Sequence, residues 1–502
     1  MESTKPRTRL TGIAAAIVCA CLAFTLTACG TSGASGSEAS SSASSAASSS
    51  APSSHSASSS AELPSVTAGN APEKADIAID ETVENSADGE HAIEADGTTG
   101  SYSNVEVVKT GDSDSGDEAD FYGDNATIFA TNGATLNLSD IVVESDGTHA
   151  NGVFSYGEGT TVNVSDSVIE TQGNCSGGLM TTGGGTMNAS NLRILTSGNS
   201  SAAIRSDRGG GTVNVDGGVY ATSGTGSPVI YSTADITVNN AYLESTASQG
   251  VVVEGKNSVT LNDDTVVADN NTKNSDKSDY YQAVMIYQSM SGDAANGEAS
   301  FTMNGGSLTN ANGDVFFVNN TVATIALNKA SIQNNGDGVF LRAAAAGWGS
   351  YGSNGGQVTL KATAQQIDGD MVVDEVSNLN LYLADTSTFT GAINADGEAG
   401  DVYVELTGGS KWVLTGDSYI TSLTCDADSI DLNGHTLYVN GQAYSAGTAS
   451  AGTAIEVVVS ESAGHGDAGE PPSGGAPSSG SERSGGTPPD KPSHSSSSSK
   501  SK

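Results

Sequence analysis

Residues 135–166 read TLNLSDIVVESDGTHANGVFSYGEGTTVNVSD, and this stretch opens and closes on one motif. Thr135-Leu-Asn-Leu138 returns as Thr161-Val-Asn-Val164, then as Thr186-Met-Asn-Ala189 and Thr212-Val-Asn-Val215. Weaker copies follow at Asp235-Ile-Thr-Val238, Ser258-Val-Thr-Leu261, Ser300-Phe-Thr-Met303, Thr324-Ile-Ala-Leu327 and Gln357-Val-Thr-Leu360. Start-to-start intervals are 26, 25, 26, 23, 23, 42, 24 and 33 residues. Self-similarity near this period, in β-prone sequence without helical periodicity, marks a solenoid.

Within each copy polar and apolar residues alternate, so Leu136/Leu138, Val162/Val164 and Val213/Val215 share one face of a strand. Corner residues follow, such as Ser139-Asp140, Ser190-Asn191 and Asn239-Asn240, of types that tolerate left-handed backbone. A second strand supplies one bulky apolar residue per copy: Val143, Ile169, Ile194, Tyr220, Leu243, Val266, Leu308 and Ile332. A third strand follows another corner, as in Gly152-Val153-Phe154, Gly178-Leu179-Met180 and Pro228-Val229-Ile230.

Three strands and three corners per coil of about 25 residues predict an all-β parallel β-helix. Its handedness is expected to be right, the general preference of parallel crossovers. Coils stacked about 4.8 Å apart give a rod of about 50–60 Å. Residues 366–459 read as irregular coils closed by a cap, with a hairpin signal where Asn433-Gly434 and Asn440-Gly441 flank Thr436–Val439.

The ends differ from this centre. Lys5, Arg7 and Arg9 precede an apolar run, Ile13 to Leu26, and then Thr27-Ala28-Cys29. That order describes a cleaved export signal over 1–28. Its end resembles a bacterial lipobox, which implies a diacylated Cys29 and attachment to the outer face of the cell membrane. Residues 29–74 read as the lipidated Cys with a Ser/Ala-rich flexible stalk, 75–459 as the β-helix domain, and 460–502 as a disordered Ser/Gly/Pro-rich tail.

The chain carries 58 acids against 19 bases, a formal charge of -39. Such a surface repels nucleic acid. Glycan, protein and cationic partners remain. After the signal and lipid site only Cys175 and Cys425 are left, many coils apart and unable to pair.

Four stretches carry a family likeness: GDSDSGDEADFYG (111–123), GTHANGVFSY (147–156), MIYQSMSGD (285–293) and WVLTGDSYITSL (412–423). They resemble adhesin-like surface lipoproteins of Gram-positive gut bacteria, over roughly 95–456. The resemblance implies a right-handed parallel β-helix at the cell exterior. It carries over no catalytic residues.

Two residue groups stand out as candidate sites. Asp112, Asp114, Asp117, Glu118 and Asp120 crowd five carboxylates into nine residues beside Gly111 and Gly116, a composition suited to a structural calcium. Three insertions, 270–281, 291–299 and 343–356, lengthen corners, the last two leaving one edge about 10 Å apart. They bring Tyr280, Tyr281, Asp293, Trp348 and Tyr351, the expected lining of a glycan or peptide groove, since sugars stack on aromatic rings. Arg205, Asp207 and Arg208 read as surface charges with a local ion pair, and His149 and His435 as loop residues.

Alternate residues of the third strand predict an outward apolar stripe through Phe154, Met180, Ile230, Val252, Met285, Phe316 and Phe340, interrupted by Arg205. It is covered by the insertions or by the segment before Val105, or it engages a partner or a second copy of the protein. The chain therefore reads as a non-catalytic binding or adhesion module, with a polysaccharide lyase or glycosidase as the alternative. Geometry separates the two. An enzyme requires convergent acids with an Arg or Lys in one cleft, while a binder requires aromatics and amides. A purely structural or ice-binding rod would use the Thr/Asn columns, but Asp235, Ala326 and Gln357 break them.

Overall fold

A computed structural model describes residues 61–457 apart from 290, 398 and 399. Cys29, the signal segment and the C-terminal tail lie outside the described residues. The described chain is a parallel β-helix. Strand makes up 48% and helix 2%, and the first and second strands of successive coils build one sheet of 21 strands. The third strands build a separate sheet of 11, in unbroken coil order.

Register follows the repeat. Leu136 pairs with Val162, Val162 with Met187, Met187 with Val213 and Val213 with Ile236. The second-strand residues Val143, Ile169, Ile194, Tyr220, Leu243, Val266, Leu308 and Ile332 fall on one continuous column. One copy is offset: Thr324 pairs with Thr359 instead of Gln357. An even shift keeps Val358 and Leu360 inward, so the core does not register the slip. Inside, Phe316 meets Phe301 edge-on and Phe340 at a tilt, with ring centroids 5.6 and 5.5 Å apart. Each such residue contributes about 1.5–3 kcal/mol only because neighbouring coils cover it.

The corners have two physical signatures. Asp140, Asp166, Asn191, Asn240 and Asp263 take φ between 48° and 56°, the left-handed bend expected of Asn and Asp. At another corner glycine is required by contact. A Cβ on Gly173, Gly198 or Gly224 would lie 1.8–1.9 Å from the carbonyl oxygen of the glycine one coil below. The repeated asparagines form ladders. Asn163 donates to Asn137 at 2.9 Å, Asn188 to Asn163 at 2.9 Å and Asn214 to Asn188 at 3.0 Å.

Three features depart from the sequence reading. Residues 61–74, assigned to the flexible stalk, lie against the second strands. Pro72 O accepts from Arg193 Nε at 3.0 Å, Ala61 O accepts from Ser197, and Gly69 packs on Val219 and Tyr242. The C-terminal coils are more regular than expected, because Asn378–Ala384, Asp401–Leu406 and Ser422–Thr424 continue the large sheet in register. Beside them Gln366–Asp368, Thr388–Thr390, Lys411–Val413 and Ile430–Asp431 form a new four-stranded sheet. The hairpin signal holds, with Leu437–Val439 antiparallel to Gln442–Ala443 around Asn440-Gly441.

The third departure concerns the outward stripe. Ile204 pairs with Ile230, and Val284 with Phe316, so Ile230, Phe316 and Phe340 point inward. The outward column is Phe154, Met180, Arg205, Tyr231, Val252, Met285, Phe317 and Arg342. Val229 and Val315, both buried, absorb the extra position ahead of each strand.

Candidate functional site: a cleft on the third-strand sheet

Two insertions cover the ends of this column and leave a gap between them. The loop before Ile128 contains the short helix Asp117–Tyr122. Phe121 O there accepts from Thr182 Oγ1 at 2.7 Å, beside an apolar cluster of Phe129, Phe154 and Met180. At the other end Ala344, Ala346 and Trp348 pack on Val252, Met285, Tyr287 and Phe317. The gap is a cleft of about 320 Å³. Arg205, Asp207, Tyr231, Glu254 and Tyr287 form its floor, Asp117, Asp120 and Phe121 one wall, and Lys277, Trp348 and Asp293 the others.

The floor is a polar network on what would otherwise be an apolar stripe. Arg205 is 7% exposed and its Nη2 donates to Asp120 at 3.1 Å and Asp207 at 3.0 Å. Asp120 also meets His149 Nδ1 at 3.2 Å. The surface-charge reading of Arg205 and Asp207 is thus corrected, as is the solitary loop reading of His149. The residues are brought together because the helix Asp117–Tyr122 lies over the strand that carries Arg205.

Electrostatics follow from this burial. For Asp120 the desolvation cost is outweighed by Arg205, His149 and Asn151, which together hold its carboxyl below the usual range. Burial pushes Asp207 up to about 7 against Arg205, with Asp293, Asp120 and Glu254 adding like charge. Burial likewise raises Glu254, against the ionised form's bonds to Ser289, Tyr231 and Tyr287. Glu254 Oε2 accepts from Tyr231 and, at 2.9 Å, from Tyr287. Its Oε1 is buried and takes neither tyrosine hydroxyl. Asp117 is raised by burial and by Asp120 and Asp293.

The sequence-level groove residues divide. Asp293 and Trp348 line the cleft. Asp293 Oδ1 accepts from Arg208 Nε at 3.1 Å and Nη2 at 2.8 Å. Trp348 meets Tyr287 edge-on at 5.1 Å. Tyr280 and Tyr281 line an adjoining hollow of about 130 Å³, which Trp348 shares. Tyr280 lies under the Arg342 guanidinium at 3.9 Å. Tyr351 is 100% exposed and lines neither.

The five acids proposed for calcium also divide. Asp112 Oδ1 accepts from Thr148 N at 2.7 Å, while Asp117 and Asp120 face the cleft. Among the described residues, Asp120, His149 and Cys175 form a compact group of potential metal ligands. Asp120 is held by Arg205 there, and Cys175 is already engaged in a bond. Cys425 is buried and free.

Glu254, Tyr231 and Tyr287 were not singled out from sequence. The signal existed: each alternates with an inward apolar residue along a third strand, Tyr231 after Ile230, Glu254 after Val253 and Tyr287 after Ile286. Comparison with protein-family models, curated proteins and solved structures finds no match for this chain.

Proposed function

We propose that this chain is a lipid-anchored, extracytoplasmic β-helix protein that takes a glycan into the lateral cleft and cleaves it by carboxyl acid–base chemistry. The supporting observation is the convergence of Glu254, Asp207 and Asp293 with Arg205 in one cleft walled by aromatics, Arg208 pairing with Asp293 at its edge. Glu254 is the assigned proton donor. The two tyrosines donate to Oε2, so the proton is assigned to Oε1, the oxygen that neither of them engages. Burial favours that protonated form.

Asp293 is the assigned base or nucleophile. Both Arg208 bonds fall on its Oδ1, which leaves Oδ2 for the substrate. Glu254 delivers its proton to the glycosidic oxygen as the C–O bond breaks. A water molecule replaces the leaving sugar, and its proton passes to a carboxylate. The -39 charge favours a neutral glycan over an anionic one. The lipobox and the resemblance to adhesin-like surface lipoproteins support placing this work outside the cell.

A separate observation favours recognition alone. Asp120 and Asp207 are both held by Arg205, and aromatic walls by themselves grip sugars. A panel of neutral oligosaccharides incubated with the full chain and with its Glu254→Gln variant separates the readings. Cleavage by the unaltered chain, reduced at least about 100-fold in the variant, supports the acid assignment. Equal binding by both with no cleavage leaves an adhesion module. No binding overturns both.

A further inference from the structure

The cleft is closed on one side and continues on the other. Where the floor strands end, Arg208 joins three elements: its guanidinium bonds Asp293 of the 288–297 loop and lies over the Phe121 ring at 3.9 Å. This stack bridges the two loops at the end where Phe121 and Asp293 line the cleft. Where the strands begin, Asn274 and Ser275 line both the cleft and the adjoining hollow, as do Tyr231, Tyr287 and Trp348. The two spaces adjoin along these shared residues.

Chemistry changes from one to the other. The closed end carries the carboxylates, and Asp293 belongs to the stack itself. The open end carries Asn270, Thr272, Tyr280, Tyr281 and Gln282, hydroxyls and amides beside aromatic faces. Lys273 lies 5.5 Å from the Tyr281 ring and keeps one side of it covered. Such a surface holds sugars without reacting with them.

We infer that the cleft receives one terminus of a sugar chain, which stops against the Phe121–Arg208–Asp293 stack while the rest of the chain leaves beneath Tyr280 and Tyr281. This rests on the glycan reading above and adds to it that the protein acts from a chain end. Residues Glu254 and Asp293 then lie near the terminus, so cleavage releases a short product.

The test uses the full chain with glucan, xylan and N-acetylglucosamine oligomers from disaccharide to octasaccharide, each uncapped or chemically capped at either end. Capping one terminus should weaken binding at least about tenfold, and capping the other should leave it unchanged. The earliest products should be mono- or disaccharides. Arg208→Ala should restore binding of the capped oligomers, and it is read by binding alone because Arg208 also holds Asp293. Indifference to both caps, or mid-length fragments as first products of the unaltered chain, overturns the inference. End dependence without cleavage supports it while removing the acid–base assignment, and cleavage without end dependence does the reverse. No binding of any series overturns both.

Discussion

The two long sheets bury the same kind of residue inward, and the outer faces of the first and third strands differ entirely. Outside the first strands lie Thr135, Asn137, Thr161 and Asn163, partly exposed and joined in an asparagine ladder. Outside the third strands lie Phe154, Met180, Arg205, Tyr231, Glu254 and Tyr287, nearly all buried or half-buried under insertions. A solenoid needs only its inner face to fold. Its outer faces are free to diverge, and here the divergence coincides with the insertions. Burial of polar groups beneath those insertions therefore locates the site better than composition does.

The largest expected effect lies on the covered face. Asp120→Ala leaves the Arg205 guanidinium buried with Asp207 as its remaining carboxylate. Denaturant unfolding should show a loss of about 3 kcal/mol or more. A loss below about 1 kcal/mol would mean that this face is as wet as the other.

Proton linkage should also separate the faces. Asp207 has its folded pKa raised, so the folded state binds the extra proton and stability falls as pH rises from about 4 to about 7. Asp120 has the opposite sign: its contribution is complete above the usual carboxylate range and is lost as pH falls below it. Thermal melts of Asp207→Asn should lose the drift between about pH 4 and pH 7 and keep the acid-side loss. An unchanged drift would place the titrating group elsewhere.

The smallest effect belongs to the open face. Asn188→Ala removes one donor and one acceptor from a solvent-facing ladder. It should cost about 1 kcal/mol and leave glycan binding intact.

What was legible in sequence follows this division. The inward rungs were legible to single residues, from Leu136 through Val162 to Val213, because strict alternation and burial leave no other register. The corner asparagines and aspartates were legible through their backbone tolerance. The third strand was misread by one position at Ile230, Phe316 and Phe340, because Val229-Ile230, Val315-Phe316-Phe317-Val318 and Val339-Phe340-Leu341 are apolar runs with no alternation to mark the face. Asp293 and Trp348 were found through their insertions. Arg205, Asp120 and Glu254 come together from positions 134 residues apart in sequence, a convergence that local spacing does not encode. Residues 61–74 were misassigned because a Ser-rich neighbourhood hides the Leu63-Pro64 and Gly69 contacts that dock them.

The most direct measurement is an experimental structure of the full-length Glu254→Gln variant grown with a neutral oligosaccharide that the unaltered chain binds. A sugar lying between Phe121 and Trp348, with one glycosidic oxygen within hydrogen-bond reach of residue 254, is the predicted result. A sugar seated along the Asn137–Asn214 ladder, with the cleft empty, would contradict it.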